Sequence, residues 1–161
     1  MITYYLTLSR VFPSYHNRAG EPTNFDDAFK AGQKPRLDKN LKGFRKIHTI
    51  RANYDLWAKR FEKINSGKAQ LSIREWVGKP YGKGSTQREI ARLSRWDGIG
   101  LQKLTIEERM YGRFHYVDGN WAFTNILSNN DGLSLEDWWN WFDGYDLSKP
   151  LAIIHFTVFR Y

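Results

Sequence analysis

The densest chemistry in the chain lies in six consecutive residues, Lys46-Ile47-His48-Thr49-Ile50-Arg51. Read as a strand, this segment turns Lys46 and His48 to one side and Thr49 and Arg51 to the other. A bulge or a strand end would let Lys46 and Thr49 converge. The segment then offers an ammonium, a hydroxyl and a guanidinium, the natural partners of phosphate and carbonyl oxygens. An edge strand with solvated charges is the plainer alternative. Ahead of it runs a basic stretch, Lys30, Lys34, Arg36, Lys39, Lys42, Arg45 and Lys46, broken only by Asp38. Such self-repulsion favours a solvated loop, suited to phosphate contacts. Further along, Tyr81 stands in Gly78-Lys79-Pro80-Tyr81-Gly82. Glycine neighbours cannot pack it, so it either stacks on a base or folds back onto the domain.

Other chemistry is excluded by absence. The chain has no cysteine, which removes disulfides, thiolate metal sites and cysteine nucleophiles and fits a reducing, cytoplasmic setting. Phosphate-cradling GxxxxGK[ST], dinucleotide GxGxxG, zinc HExxH and the GxSxG elbow are all missing. His16, His48, His115 and His155 lie far apart in sequence and suggest no metal site. No cofactor is expected.

The elements that must position these residues can be read from periodicity. Met1–Leu8 alternates like a strand, and so does Lys68–Arg74. Thr23–Gly32 reads as a helix capped by Thr23, with Asp26 and Asp27 in its first turn. Asn53 caps a second helix striped by Tyr54, Trp57, Phe61 and Ile64. Gly78–Ser85 is a loop, and Gln87–Trp96 has helical composition. Ile99–Met110 and Phe114–Val117 read as paired strands, and Asn120–Leu127 as a helix. Asn129–Gly132 is a turn, and Ser134 with Asp137 starts a helix carrying Trp138, Trp139 and Trp141. Three tryptophans so close cannot all face inward, so Trp141 is expected at the surface. Leu151–Tyr161 closes the chain as a strand. No βαβ rhythm appears, so the expected class is α+β: a small, mostly antiparallel β-barrel with peripheral helices.

Length and composition agree. The chain has 161 residues, 41% hydrophobic and 26% charged, which suits one globular domain spanning residues 1–161. No apolar run is long enough to cross a bilayer, and the first residues lack the pattern of a signal peptide, so no membrane partner is expected. The net charge is +8 and aromatics make up 16%. The charge is lopsided, +12 over residues 1–103 and −4 over 104–161. Basic charge beside flat rings suits RNA or single-stranded nucleic acid.

Lys46-x-x-Thr49-x-Arg51 resembles the signature of ASCH domains in the PUA-like superfamily. The order of its surroundings is similar too. A helix ending in a glycine turn (Phe25–Gly32) precedes it, a Gly67–Ile73 strand follows, then an Asp131-Gly132-Leu133-Ser134 turn with a helix to Phe142, and a closing apolar strand. The resemblance covers roughly residues 24–161, with a basic insertion at 33–45 and an extended segment at 76–96. It implies a small barrel with a cleft that handles RNA or modified nucleosides. One branch of that family hydrolyses the acyl amide of acetylcytidine with a lysine, a threonine and a glutamate. Those roles would fall on Lys46, Thr49 and Asp131, the last one methylene shorter than glutamate. The resemblance thus implies Thr49 as nucleophile, Lys46 as its base and Asp131 as acid to the leaving amine, without a metal. Arg51, Lys39, Lys42, Arg45, Arg74 and Tyr81 are the expected ligand-binding residues. Two alternatives accompany nucleic-acid or nucleoside binding: the amidohydrolase itself, or a protein-interaction module built on exposed tryptophan.

Overall fold

The structure, a computed structural model, describes residues 1–36 and 43–161. Lys39 and Lys42 fall outside the described residues. In chain order the elements are β1 (Ile2–Leu8), α1 (Phe25–Gly32), β2 (His48–Arg51), α2 (Tyr54–Asn65), β3 (Ala69–Val77), β4 (Thr86–Leu93), β5 (Gly100–Arg109), β6 (Gly112–Val117), β7 (Asn120–Trp121), α3 (Thr124–Asn130), α4 (Leu135–Phe142) and β8 (Leu151–His155). The class is α+β, as the mixed periodicities indicate.

The strands form two ladders. In one, β1 lies parallel to β3 and β4 antiparallel to it. In the other, the order is β2-β8-β5-β6-β7, antiparallel throughout. Among the described residues no pairing joins the ladders, so the expected closed barrel is not detected. They meet instead at the edge strands β1 and β2, where the Arg51 guanidinium donates to the Thr7 carbonyl at 2.6 Å. The core between them holds Leu6, Leu71, Ile73, Leu104, Ile153 and Phe156, all almost fully buried.

Four expectations change. Residues 87–93 of the 87–96 segment lie in the strand β4, because pairing with β3 outweighs the helix preference of its Gln, Arg, Glu and Ala residues, and only Arg95–Asp97 form a short 3-10 turn of helix. Asn120 and Trp121 belong to a hairpin, not a helix. Asp118 and Gly119 both take positive φ, 48° and 82°, as a tight antiparallel turn requires. That delays α3 to Thr124. The last strand stops at His155, after which the chain turns back toward β5. Trp141 is buried, because the loop of residues 12–18 folds over α4. Phe12 and Phe25 pack on its ring, the Tyr15 hydroxyl donates to its carbonyl at 2.8 Å, and Arg18 pairs with Asp137 at 2.6 Å. The exposed tryptophans are Trp96 and Trp121.

Local caps follow the sequence more closely. Asn53 Oδ1 accepts from the Leu56 amide, and Ser134 Oγ accepts from the Asp137 amide. Thr23 instead donates its hydroxyl to the Ser9 carbonyl, with Asn24 taking the capping position of α1.

Candidate functional site

Lys46 sits at the junction of three chain segments. Its amide donates to the Ala28 carbonyl at 2.8 Å, and the next amide, of Ile47, donates to the Asn130 carbonyl at 2.9 Å. The Ile47 carbonyl accepts from the Phe156 amide. Ile47 therefore switches partners between the end of α3 and β8, and simple strand alternation fails there. This switch lets Lys46, Thr49 and Arg51 line one cavity together. Glycine makes the close approach possible. A methyl group on Gly32 would lie 2.6 Å from the Lys46 carbonyl oxygen, and one on Gly132 (φ 80°) would lie 3.1 Å from Lys46 Cβ.

Lys46 as a whole is 1% exposed. Its Nζ donates to Asp131 Oδ1 at 2.6 Å and to the Asp131 carbonyl at 2.7 Å, and it stands 4.0 Å over the Phe25 ring. The other carboxylate oxygen, Oδ2, accepts from Trp138 Nε1 at 3.2 Å. Burial pushes the Lys46 ammonium down and the Asp131 carboxyl up from their ordinary values, while their mutual attraction and hydrogen bond oppose both shifts. Arg51 adds to the downward push on Lys46. The proton affinities of the two groups are thereby drawn toward each other, which suits proton exchange at a site sheltered from water.

Two neighbouring spaces lie beside this pair, one lined by it and one reached through shared residues. The inner one, about 10 Å³, is bounded by Ser9, Phe25, Lys46, Thr49, Arg51 and Asp131. That is room for about one water. The outer one, about 780 Å³, is lined by Arg10, Phe12, Arg51, Trp76, Lys79 and Tyr81, within the usual range for a small-molecule cleft. Ser9 and Arg51 border both spaces. Tyr81 is 90% exposed, adopts φ 57°, and stands 4.9 Å from the Trp76 ring. Clefts elsewhere, around Asp143 and around Asn53, present no buried titratable group.

The site gathers Lys46, Thr49, Arg51 and Asp131 around the inner space and Arg51 and Tyr81 around the outer one. It does not gather the other expected ligands among the described residues. Arg74 lies along the Tyr5 ring at 4.2 Å and donates to Ser72 Oγ, outside both spaces. Arg45 turns onto the carbonyls of Ala31, Gly32 and Lys34 and closes the C-terminal end of α1, a favoured place for a cation. Sequence reading missed Trp76, Ser9 and the hydrogen bond of Trp138. Trp76 carried a usable signal, an aromatic residue at a strand end beside a Gly-Lys-Pro loop. Ser9 carried none, being brought in by tertiary contact alone.

Among the described residues no group of three His, Cys, Asp or Glu side chains could hold a metal ion, and no helix is long and apolar enough to cross a membrane. Comparison with known protein families, curated proteins and solved structures gives no match for this chain.

Proposed function

We propose that the chain binds RNA or a modified nucleoside in the cleft between β1 and β2, as the ASCH, PUA-like proteins it resembles would. One observation carries the reading. An open cleft lined by Trp76 and Tyr81 shares Ser9 and Arg51 with the small space beside a buried ammonium–carboxylate pair. A nucleobase has the matching parts: flat faces for the aromatic mouth and a polar edge for Arg51 and Ser9. Arg10, Lys79 and the excess positive charge of residues 1–103 favour a phosphate-bearing ligand.

Titration with nucleosides and short single-stranded RNA tests this. Tyr81→Ala should weaken binding by about 1–3 kcal/mol, the value of one base stacked on an aromatic ring. Arg51→Gln should weaken it by a similar factor. Absence of saturable binding at low salt, or full affinity in both variants, overturns the reading.

A second reading, metal-independent hydrolysis of an N-acyl nucleoside, is favoured by one specific feature. Thr49 borders the one-water space together with Lys46 and Asp131. In that reaction the proton of the pair first passes from Lys46 to Asp131. Thr49 Oγ1 then attacks the amide carbonyl as the neutral Lys46 amine takes its proton, Asp131 protonates the departing amine as the C–N bond breaks, and a water hydrolyses the acyl-threonine ester to release the acid. Turnover of acetylcytidine in EDTA tests it. Loss of activity in Thr49→Ala supports the hydroxyl as nucleophile. Activity surviving in Thr49→Ala assigns the attack to a water in the inner space.

A further inference from the structure

Behind Asp131 lies a buried polar chain that the reading above leaves unused. His48, fully buried, places Nε2 2.7 Å from the Tyr161 hydroxyl, and the same hydroxyl accepts from Asn130 Nδ2 at 3.0 Å. On its other side His48 Nδ1 has no hydrogen-bond partner and stands 3.9 Å from Asp131 Oδ1. His155 packs edge-on at 5.6 Å.

The proton positions follow from counting donors. Asn130 already donates to the Tyr161 oxygen, so the single phenolic proton is directed to His48 Nε2. Burial raises the Tyr161 phenol and keeps that proton in place. Burial, with Lys46 and His155 alongside, keeps His48 neutral. A neutral imidazole that accepts at Nε2 must carry its hydrogen on Nδ1, and that hydrogen faces the carboxylate. His155 has the opposite form. Gln102 gives its amide hydrogens to Asp118 and to the Tyr161 carbonyl, so its Oε1 accepts from His155 Nε2 at 3.0 Å. The charged and titratable groups around His48 are thus Lys46, Asp131, His155 and Tyr161.

We infer that Tyr161 locks His48 as its Nδ1-protonated tautomer and makes it a positioning residue, a reserve donor that keeps Asp131 ionised when the Lys46 ammonium turns to a ligand. The inference rests on the reading that Lys46 and Asp131 form the working pair. Without His48, a carboxylate left by Lys46 would keep only the Trp138 N–H, and the shared proton would settle on Asp131. A shift of about 1 Å would close the 3.9 Å gap to hydrogen-bond length.

The test is nitrogen and carbon NMR on the ligand-free protein. The wild type should show His48 protonated at Nδ1 and His155 at Nε2. His48 protonated at Nε2, or carrying both protons at neutral pH, overturns the inference without any variant. The Asp131 carboxyl is then titrated in a Lys46→Met parent, where the lysine no longer holds it, and in three variants of that parent. Tyr161→Phe should loosen the tautomer and raise the Asp131 midpoint by about one pH unit, a tenfold change. His48→Gln, which keeps only the Nε2-like end, should do the same. His48→Asn, which restores a donor at the Nδ1 position, should return the midpoint to the parent value. Equal midpoints in the Lys46→Met parent, with Tyr161→Phe and with His48→Gln overturn the inference. Because no ligand is used, failure of nucleoside binding would remove the proposed function and leave this result intact.

Discussion

Removing the charge of Asp131 while keeping its shape should be among the most damaging single changes to this protein. In Asp131→Asn the Lys46 ammonium stays where it is, 1% exposed, and loses the carboxylate 2.6 Å away. Breaking one side of a buried pair costs about 3–5 kcal/mol, because the surviving charge loses its counter-charge in a site sheltered from bulk water. A domain of this kind has only about 5–15 kcal/mol in total, so the midpoint in urea should fall by a large fraction. Lys46→Met should also destabilise, since it leaves Asp131 without a counter-charge and only the Trp138 N–H and the His48 imidazole to serve it. The double variant Lys46→Met/Asp131→Asn removes both charges, and the Asn oxygen still accepts from Trp138. It should lie within about 2 kcal/mol of the wild type, giving a coupling of several kcal/mol. Urea unfolding followed by tryptophan fluorescence measures all three, and the seven tryptophans give ample signal. If Asp131→Asn loses less than about 1 kcal/mol, or the double variant loses the sum of the singles, the pair is not a buried ion pair and the reasoning fails.

Further outcomes follow from the packing. Gly32→Ala should destabilise by about 1–3 kcal/mol although alanine favours helices, because the added methyl meets the Lys46 carbonyl at 2.6 Å; thermal unfolding measures this, and a gain in stability would refute the close approach. Tyr81→Gly should leave stability unchanged or raise it by up to about 1 kcal/mol, since it relieves a positive φ on an exposed residue, while ligand binding falls; a clear loss of stability would mean that Tyr81 is a packing residue. His155 and His115 are held by burial at about 3 and about 4, below their ordinary 6.5. The unfolded chain therefore binds the extra protons first, so their contribution is complete above pH 6.5 and drains away as the pH falls toward 4 and 3. For His155 this amounts to roughly 5 kcal/mol at most, and urea midpoints that stay flat between pH 7 and 4.5, or an equal slope in His155→Gln, would contradict it.

Helix starts with their own side-chain partners were legible in the sequence. Asn53 and Ser134 each satisfy an amide three residues on, an interaction that needs no distant partner. Two-residue alternation marked Met1–Leu8 and Lys68–Arg74 for the same local reason. The 87–96 segment shows the limit. Its composition favours a helix, yet β3 supplies a ladder whose pairing outweighs that preference. The Asp118-Gly119 turn was readable but passed over; it is the common two-residue hairpin signal.

The sequence by itself determined the chemistry on offer: a lysine, a threonine and an arginine within six residues, an aspartate in a glycine turn, an aromatic on an open loop, and a positive charge concentrated in residues 1–103. Residue type and short spacing carry that information, because rotamers, caps and turns depend on near neighbours. Tertiary structure alone decided which of those groups share a cleft. It placed Asp131 against Lys46 across 85 positions of chain, sent Arg74 and Arg45 elsewhere, covered Trp141 with the loop of residues 12–18, and set Ser9, Trp76 and His48 around the pair. Contacts so distant in sequence leave no periodic trace, since they depend on how two sheets meet at β1 and β2 and on the absence of side chains at Gly32 and Gly132 where the backbones close on Lys46.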